Sequence, residues 1–122
     1  MAGRSATKSG SRRCPDAGDC IWIDLEPTRG HEQRGRRPAL VLSPRSYNER
    51  ARLCIACPIT NQPKGYPFEV AIHGAQGLSG VVLADQVRCL SWPDQDAQFI
   101  AAVPLQVLLD VREKLATVAG ID

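Results

Sequence analysis

Between Glu26 and Arg37 the chain reads Glu-Pro-Thr-Arg-Gly-His-Glu-Gln-Arg-Gly-Arg-Arg. His31, Glu32 and Gln33 stand together between Gly30 and Gly35, with Arg29, Arg34, Arg36 and Arg37 around them. An imidazole, a carboxylate, an amide and several guanidinium groups in so short a span are the types that bind a phosphodiester and move protons around it. Pro38 then opens the apolar run Pro38-Ala39-Leu40-Val41-Leu42-Ser43, which fits a buried strand. Arg37 therefore sits at the mouth of a strand, where a rigid scaffold holds it. A connection as long as this one is usually functional or disordered.

The charge distribution points the same way. The net charge is only +2, yet residues 29–52 hold seven arginines against Glu32 and Glu49. The C-terminal third is acidic, with Arg88, Arg112 and Lys114 facing six carboxylates over residues 85–122. A concentrated basic segment on a near-neutral domain is the footprint of a polyanion or of an acidic protein tail. Taken alone, a run of arginines is more often a solvated surface.

A second chemical candidate is the C-x-x-C of Cys54 and Cys57, which suggests zinc or redox chemistry. The segment Leu53–Cys57 reads as a strand, and side chains alternate faces along a strand. A separation of three sets the two sulfurs on opposite sides. There is no second C-x-x-C, only two histidines are available, and Pro58 stands where a redox motif would start its helix. No metal and no cofactor are expected. The five cysteines are odd in number and follow no export signal, which argues against a disulfide framework.

These residues must be positioned by a small domain. A chain of 122 residues with 43% hydrophobic and 23% charged residues forms one globular unit. No window approaches the roughly 20 apolar residues of a membrane span, and the basic N-terminus lacks the apolar stretch of a secretory signal. A cytoplasmic protein is expected. Residues 1–17, small, polar and basic, read as a disordered tail or a vector-derived remnant, with the ordered domain over 18–122. Strands are expected at Cys20–Leu25, Pro38–Ser43, Leu53–Thr60, Tyr66–His73, Val81–Leu90 (interrupted near Asp85) and Phe99–Val103. One helical turn fits Pro44–Arg50. A C-terminal helix begins at Pro104, runs through Leu105, Leu108, Leu109, Val111, Leu115 and Val118, and closes at Gly120. Short strands plus one terminal helix predict a mostly β protein with some α, a small, strongly curved β-barrel with the helix packed on it.

The blocks Gly18-Asp19-Cys-Ile-Trp-Ile-Asp24, Gly30-His31-Glu32-Gln33, Gly35-Arg36-Arg37-Pro38-Ala-Leu-Val-Leu-Ser43-Pro44, Pro58-Ile59-Thr60, Lys64-Gly65-Tyr66-Pro67-Phe68-Glu69-Val70 and Leu83-Ala84-Asp85-Gln86-Val87 occur in the order found in one family. They strongly resemble the MazF/PemK toxin endoribonucleases, from about Gly18 to the C-terminal helix. The resemblance implies a bacterial, SH3-like barrel, a homodimer, metal-independent cleavage of single-stranded RNA, and inhibition by a small antitoxin whose acidic tail covers the basic segment. The family's catalytic arginine falls on Arg37, its threonine on Thr60 and its motif glutamate on Glu32. One branch uses a loop histidine, an arginine and an aspartate instead; His31 and Asp85 match it, but Leu83 occupies the arginine position.

The chemistry fits that assignment. RNA carries its own nucleophile, since the 2′-OH attacks the adjacent phosphorus and expels the 5′-oxygen. The protein must stabilise the charge that develops on the phosphoryl oxygens, a task for the permanently charged fork of Arg37 and a hydroxyl donor at Thr60. Glu32 is the expected base and His31 a partner or acid. Arg29 and Arg34 hold flanking phosphates. The Asn61–Tyr66 loop, with Gln62, Lys64 and an aromatic ring, is the expected reader of base edges. Gln33 and Asp85 complete the substrate-binding set. The competing reading is a non-catalytic SH3-like module that binds nucleic acid or an acidic peptide through residues 29–52.

Overall fold

The computed structural model describes residues 13–24, 35–75 and 77–121. Its strands are β1 (Asp19–Asp24), β2 (Arg36–Val41), β3 (Cys54–Thr60), β4 (Glu69–Ala71), β5 (Val81–Leu83), β6 (Arg88–Leu90) and β7 (Gln98–Ala102), with helices α1 (Arg45–Ala51) and α2 (Leu105–Ala119). All pairings are antiparallel, in the order β4-β5-β3-β2-β1-β7, with β6 also on β3. Among the described residues the terminal strands β4 and β7 do not pair, so the sheet is curved but open rather than a closed barrel.

The central strand β3 carries the architecture. Its first half pairs with β6 through Cys54↔Leu90 and Ala56↔Arg88, and its end pairs with β5 through Thr60↔Val81. The break between β5 and β6, a turn at Ala84–Asp85, falls where the sequence predicts it. Alternation along the strands sorts apolar residues into two cores. Cys20, Leu40, Cys57, Ile59 and Val82 pack beneath α2 with Val107, Leu108 and Val111. Ile21, Ile23, Ala39, Val41, Cys54 and Ala56 pack on the other face with Leu90, Trp92 and Ala97. Cys54 and Cys57 thus enter different cores, as their odd spacing requires.

Several sequence expectations change, among them the Tyr66–His73 strand, which is only Glu69–Ala71. The ordered domain starts before Gly18: the Arg13 guanidinium lies 4.1 Å from the centroid of the Phe99 ring, and Pro15 is fully buried. The Pro15 carbonyl accepts from Asn48 Nδ2 at 2.9 Å, and Asp16 Oδ1 accepts from the Arg45 amide at 2.9 Å, a bond that holds the Asp16 carboxyl below its usual range. Residues 13–17 are tied by polar bonds to α1 and by isolated apolar contacts of Cys14, Pro15 and Ala17, which have no period for the sequence to show. The rest of the proposed tail, residues 1–12, lies outside the described residues. In α2, Pro104 is the cap rather than the first helical residue, and Gly120 closes the helix in the left-handed region at φ 75°. Its buried stripe is Val107, Leu108 and Val111, while Leu105, Leu109 and Val118 are exposed.

Candidate active site

Arg37 and Thr60 come from neighbouring strands. β1 and β2 pair from Cys20↔Leu40 to Ile23↔Arg37 and Asp24↔Arg36, the last rung before residues 25–34. β2 and β3 pair through Val41↔Ala56, Leu40↔Cys57 and Ala39↔Pro58. The pairing stops there; two residues further out along each strand, Arg37 and Thr60 lie on the same side of the alternation. That side is the face of Ala39, Val41 and Ala56. Where the apolar pattern stops, Arg37 is exposed and Thr60 half-buried.

Both line a cavity of about 290 Å³ whose floor is Ile23, Ala39, Ala56 and Leu90 and whose rim adds Pro58, Gln86 and Arg88. An apolar floor with a few convergent polar groups is the usual form of a ligand site. Thr60 also lines a second cavity, of about 320 Å³, with Gln62, Lys64, Tyr66, Asp85 and Gln86. A third, of about 300 Å³, joins Arg37 and Thr60 to Trp22, Arg36 and Asn61. Thr60 thus stands at the junction of all three.

Local bonds orient these groups. Thr60 Oγ1 accepts from the Gln62 amide at 3.1 Å, which turns the strand end into the loop and leaves the hydroxyl proton free to be donated elsewhere. Arg36 does not reach into the first cavity. Its Nη1 donates to Asp24 Oδ1 at 2.7 Å and its Nη2 to the Asp96 carbonyl at 2.8 Å. This clasp ties the first rung of β2 to β1 and to the turn before β7, next to Arg37. The pair is partly exposed, so it contributes direction more than stability.

Of the sequence-predicted residues, Arg37, Thr60, Gln62, Lys64 and Asp85 meet on the first two cavities. Arg29, His31, Glu32, Gln33 and Arg34 lie outside the described residues. Gln86, Arg88 and the Arg36 clasp were missed. Arg88 reaches the site because β6 folds back on β3 through Ala56↔Arg88, a long-range pairing with no local signature. Burial pushes the thiols of Cys20, Cys54 and Cys57 up to about 12, so they stay protonated at neutral pH. Among the described residues no group of three or more histidine, cysteine or acidic side chains could hold a metal ion.

The structure is that of a small antiparallel β protein whose neighbouring cavities gather Arg37, Arg88 and Lys64 beside Thr60. Residues 16–119 match the family model described as PemK-like, MazF-like toxin of type II toxin–antitoxin system. The chain is 46% identical to the endoribonuclease toxin MazF of Escherichia coli strain K12 over 110 residues, 90% of this chain and 98% of that protein. It is 34% identical to the Escherichia coli endoribonuclease PemK over 104 residues, 80% of this chain and 77% of that one. Crystal structures of Deinococcus radiodurans proteins superpose well: MazF with a TM-score of 0.81 and 50% identity over 89% of this chain and 99% of that one, and a MazE–MazF form with 0.83 and 47% over 90% and 100%. The chain belongs to the PemK-like, MazF-like family of type II toxins.

Proposed function

We propose that this chain is the toxin of a toxin–antitoxin pair, a sequence-selective endoribonuclease that cuts single-stranded RNA without a metal, leaving a 2′,3′-cyclic phosphate and a 5′-OH. The observation that carries this reading is the convergence of Arg37 and Thr60 on one cavity with an apolar floor, in a chain similar to named endoribonucleases over nearly its whole length. In the reaction the 2′-OH forms a bond to phosphorus and the bond to the 5′-oxygen breaks. Arg37 offers its fixed charge to the phosphoryl oxygens and Thr60 its free hydroxyl proton. Glu32 takes the proton of the 2′-OH, and His31 serves as its partner or as the acid for the leaving oxygen. Arg29 and Arg34 hold flanking phosphates and Gln33 contacts substrate beside them. Gln62, Lys64 and Asp85 on the second cavity face the bases.

The curved sheet is read as an SH3-like barrel, since β3 bridges β2 on one edge and both β5 and β6 on the other. A homodimer in the bacterial cytoplasm is the expected state, with Leu105 and Leu109 of α2 available to a second copy. A cognate antitoxin with an acidic tail lies along residues 29–37; the relatives solved as MazE–MazF complexes support such a partner.

The test is incubation of pure protein in EDTA with a defined RNA and with the same RNA carrying 2′-hydrogen at each cut position. Cleavage of the first and survival of the second is expected. Survival of both overturns the nuclease reading in favour of a binding module.

A further inference from the structure

The chain from Asn61 to Tyr66 has neither strand nor helix, and all six residues are exposed. It nonetheless carries Gln62, Lys64 and Tyr66 on the wall of the second cavity. An exposed loop presents groups in a fixed pattern only where specific bonds hold it. At the entry, the Gln62 amide donates to Thr60 Oγ1. At the exit, the Lys64 amide donates to Glu69 Oε2 at 2.9 Å and the Gly65 amide to Glu69 Oε1 at 3.0 Å. The Glu69 amide in turn donates to the Tyr66 carbonyl at 3.2 Å.

Glu69 is well placed to act as an anchor. It is the first residue of β4 and is registered against Leu83 of β5, and Leu83 lines both cavities. Both carboxylate oxygens are engaged by backbone donors, and bonds to an ionised acceptor are the stronger kind. A negative charge beside a groove for a polyanion also opposes binding, so its presence there calls for a compensating role. A glutamine could not replace it, because an amide has one acceptor oxygen and would turn its NH₂ toward the second donor.

We propose that Glu69 is the positioning residue that sets the shape of the 61–66 loop and thereby the discrimination among RNA sequences, acting through Gln62, Lys64 and Tyr66. This rests on the nuclease reading. The test is Glu69→Gln against wild type on a long RNA of mixed sequence, with cut positions and end groups mapped, and with amide exchange of Lys64 and Gly65 followed by NMR. The ratio of cleavage at the most to the least preferred sites is expected to fall about tenfold or more, the scale of one lost charge-assisted bond. The end groups stay the same, and the Lys64 and Gly65 amides exchange faster. A merely structural role would lower thermal stability and leave the ratio unmoved. An unchanged ratio in Glu69→Gln overturns the proposal and leaves the nuclease reading standing. A wild-type protein that cuts nothing overturns both. Should Glu69→Gln fail to fold, Glu69→Asp, which keeps the charge and shortens the reach, is judged by the same ratio.

Discussion

Gly80 packs so tightly against the backbone of Thr60 that a Cβ at position 80 would collide with the Thr60 carbonyl, and Gly80 holds φ at +119°, where side chains are strained. Thr60 thus stands on a backbone contact that only glycine permits. Thr60 is also the last residue of β3 and the rung opposite Val81, so pressure from position 80 moves it directly. Gly80→Ala is expected to destabilise the fold by about 2 kcal/mol. Cleavage is expected to fall further than the unfolded fraction explains. Urea unfolding with activity measured on the folded fraction checks this; full activity of that fraction would refute it.

Arg37 is exposed, at the open end of β2 beyond the buried Ala39. Arg37→Ala should therefore fold normally while cleavage drops about a hundredfold or more, the scale of one lost preorganised donor. Arg37→Lys restores little, since a point charge lacks the fork. Thr60→Val loses both the donated proton and the bond from Gln62, whereas Thr60→Ser retains most activity. Single-turnover rates on one short RNA decide each case. Near-normal cleavage by Arg37→Ala would transfer the chemistry to His31 and Asp85.

Asn48 is a fully buried polar side chain in α1. Its Oδ1 accepts from Ser43 Oγ at 2.6 Å, and its Nδ2 donates to the Pro15 and Ser43 carbonyls at 2.9 and 3.0 Å. Its own carbonyl accepts from Trp92 Nε1 at 3.0 Å. Asn48→Leu strands several buried partners and is expected to cost about 3 kcal/mol. Residues 13–17 should become protease-sensitive in the same variant, because the Pro15 tie is gone. Limited proteolysis followed by mass analysis reads this out.

The buried thiols make a pH prediction. Cys20, Cys54 and Cys57 are raised from the ordinary 9.0 to about 12 by burial. The unfolded chain ionises them above pH 9.0 while the native protein keeps them protonated up to about 12. The unfolded state then binds fewer protons, so stability is full below that lower value and is lost as pH rises across this window. Denaturant midpoints measured across the window should fall with pH, and fall less steeply in Cys54→Ala. In the native protein a thiol reagent should modify the exposed Cys89 well before these three.

The residues to consider for a site can be read along the chain before any fold is known. The basic glycine-flanked stretch before Pro38, the position of Arg37 at a strand mouth and the order of the family blocks all lie along the chain. Most strands fall where they are expected because alternation and turn residues are local properties, but the Tyr66–His73 strand shrinks to Glu69–Ala71. α2 was found for the same reason, yet its buried face was misjudged: Leu105 and Leu109 fit the helical spacing as well as Val107 does. Only the position of the sheet beneath the helix chooses among them.

The sequence by itself determined which residue types were available for phosphodiester chemistry, the strand and helix segments, and the parting of Cys54 from Cys57, since each follows from local periodicity and side-chain chemistry. Tertiary structure alone decided that Arg37 and Thr60 line one cavity, that Arg88 and Gln86 join its rim, and that Glu69 bonds to the 61–66 loop while Gly80 packs against Thr60. Those relations depend on β3 pairing at once with β2, β5 and β6. Register between strands distant in the chain is set by packing over the whole sheet, and no short window of residues contains it.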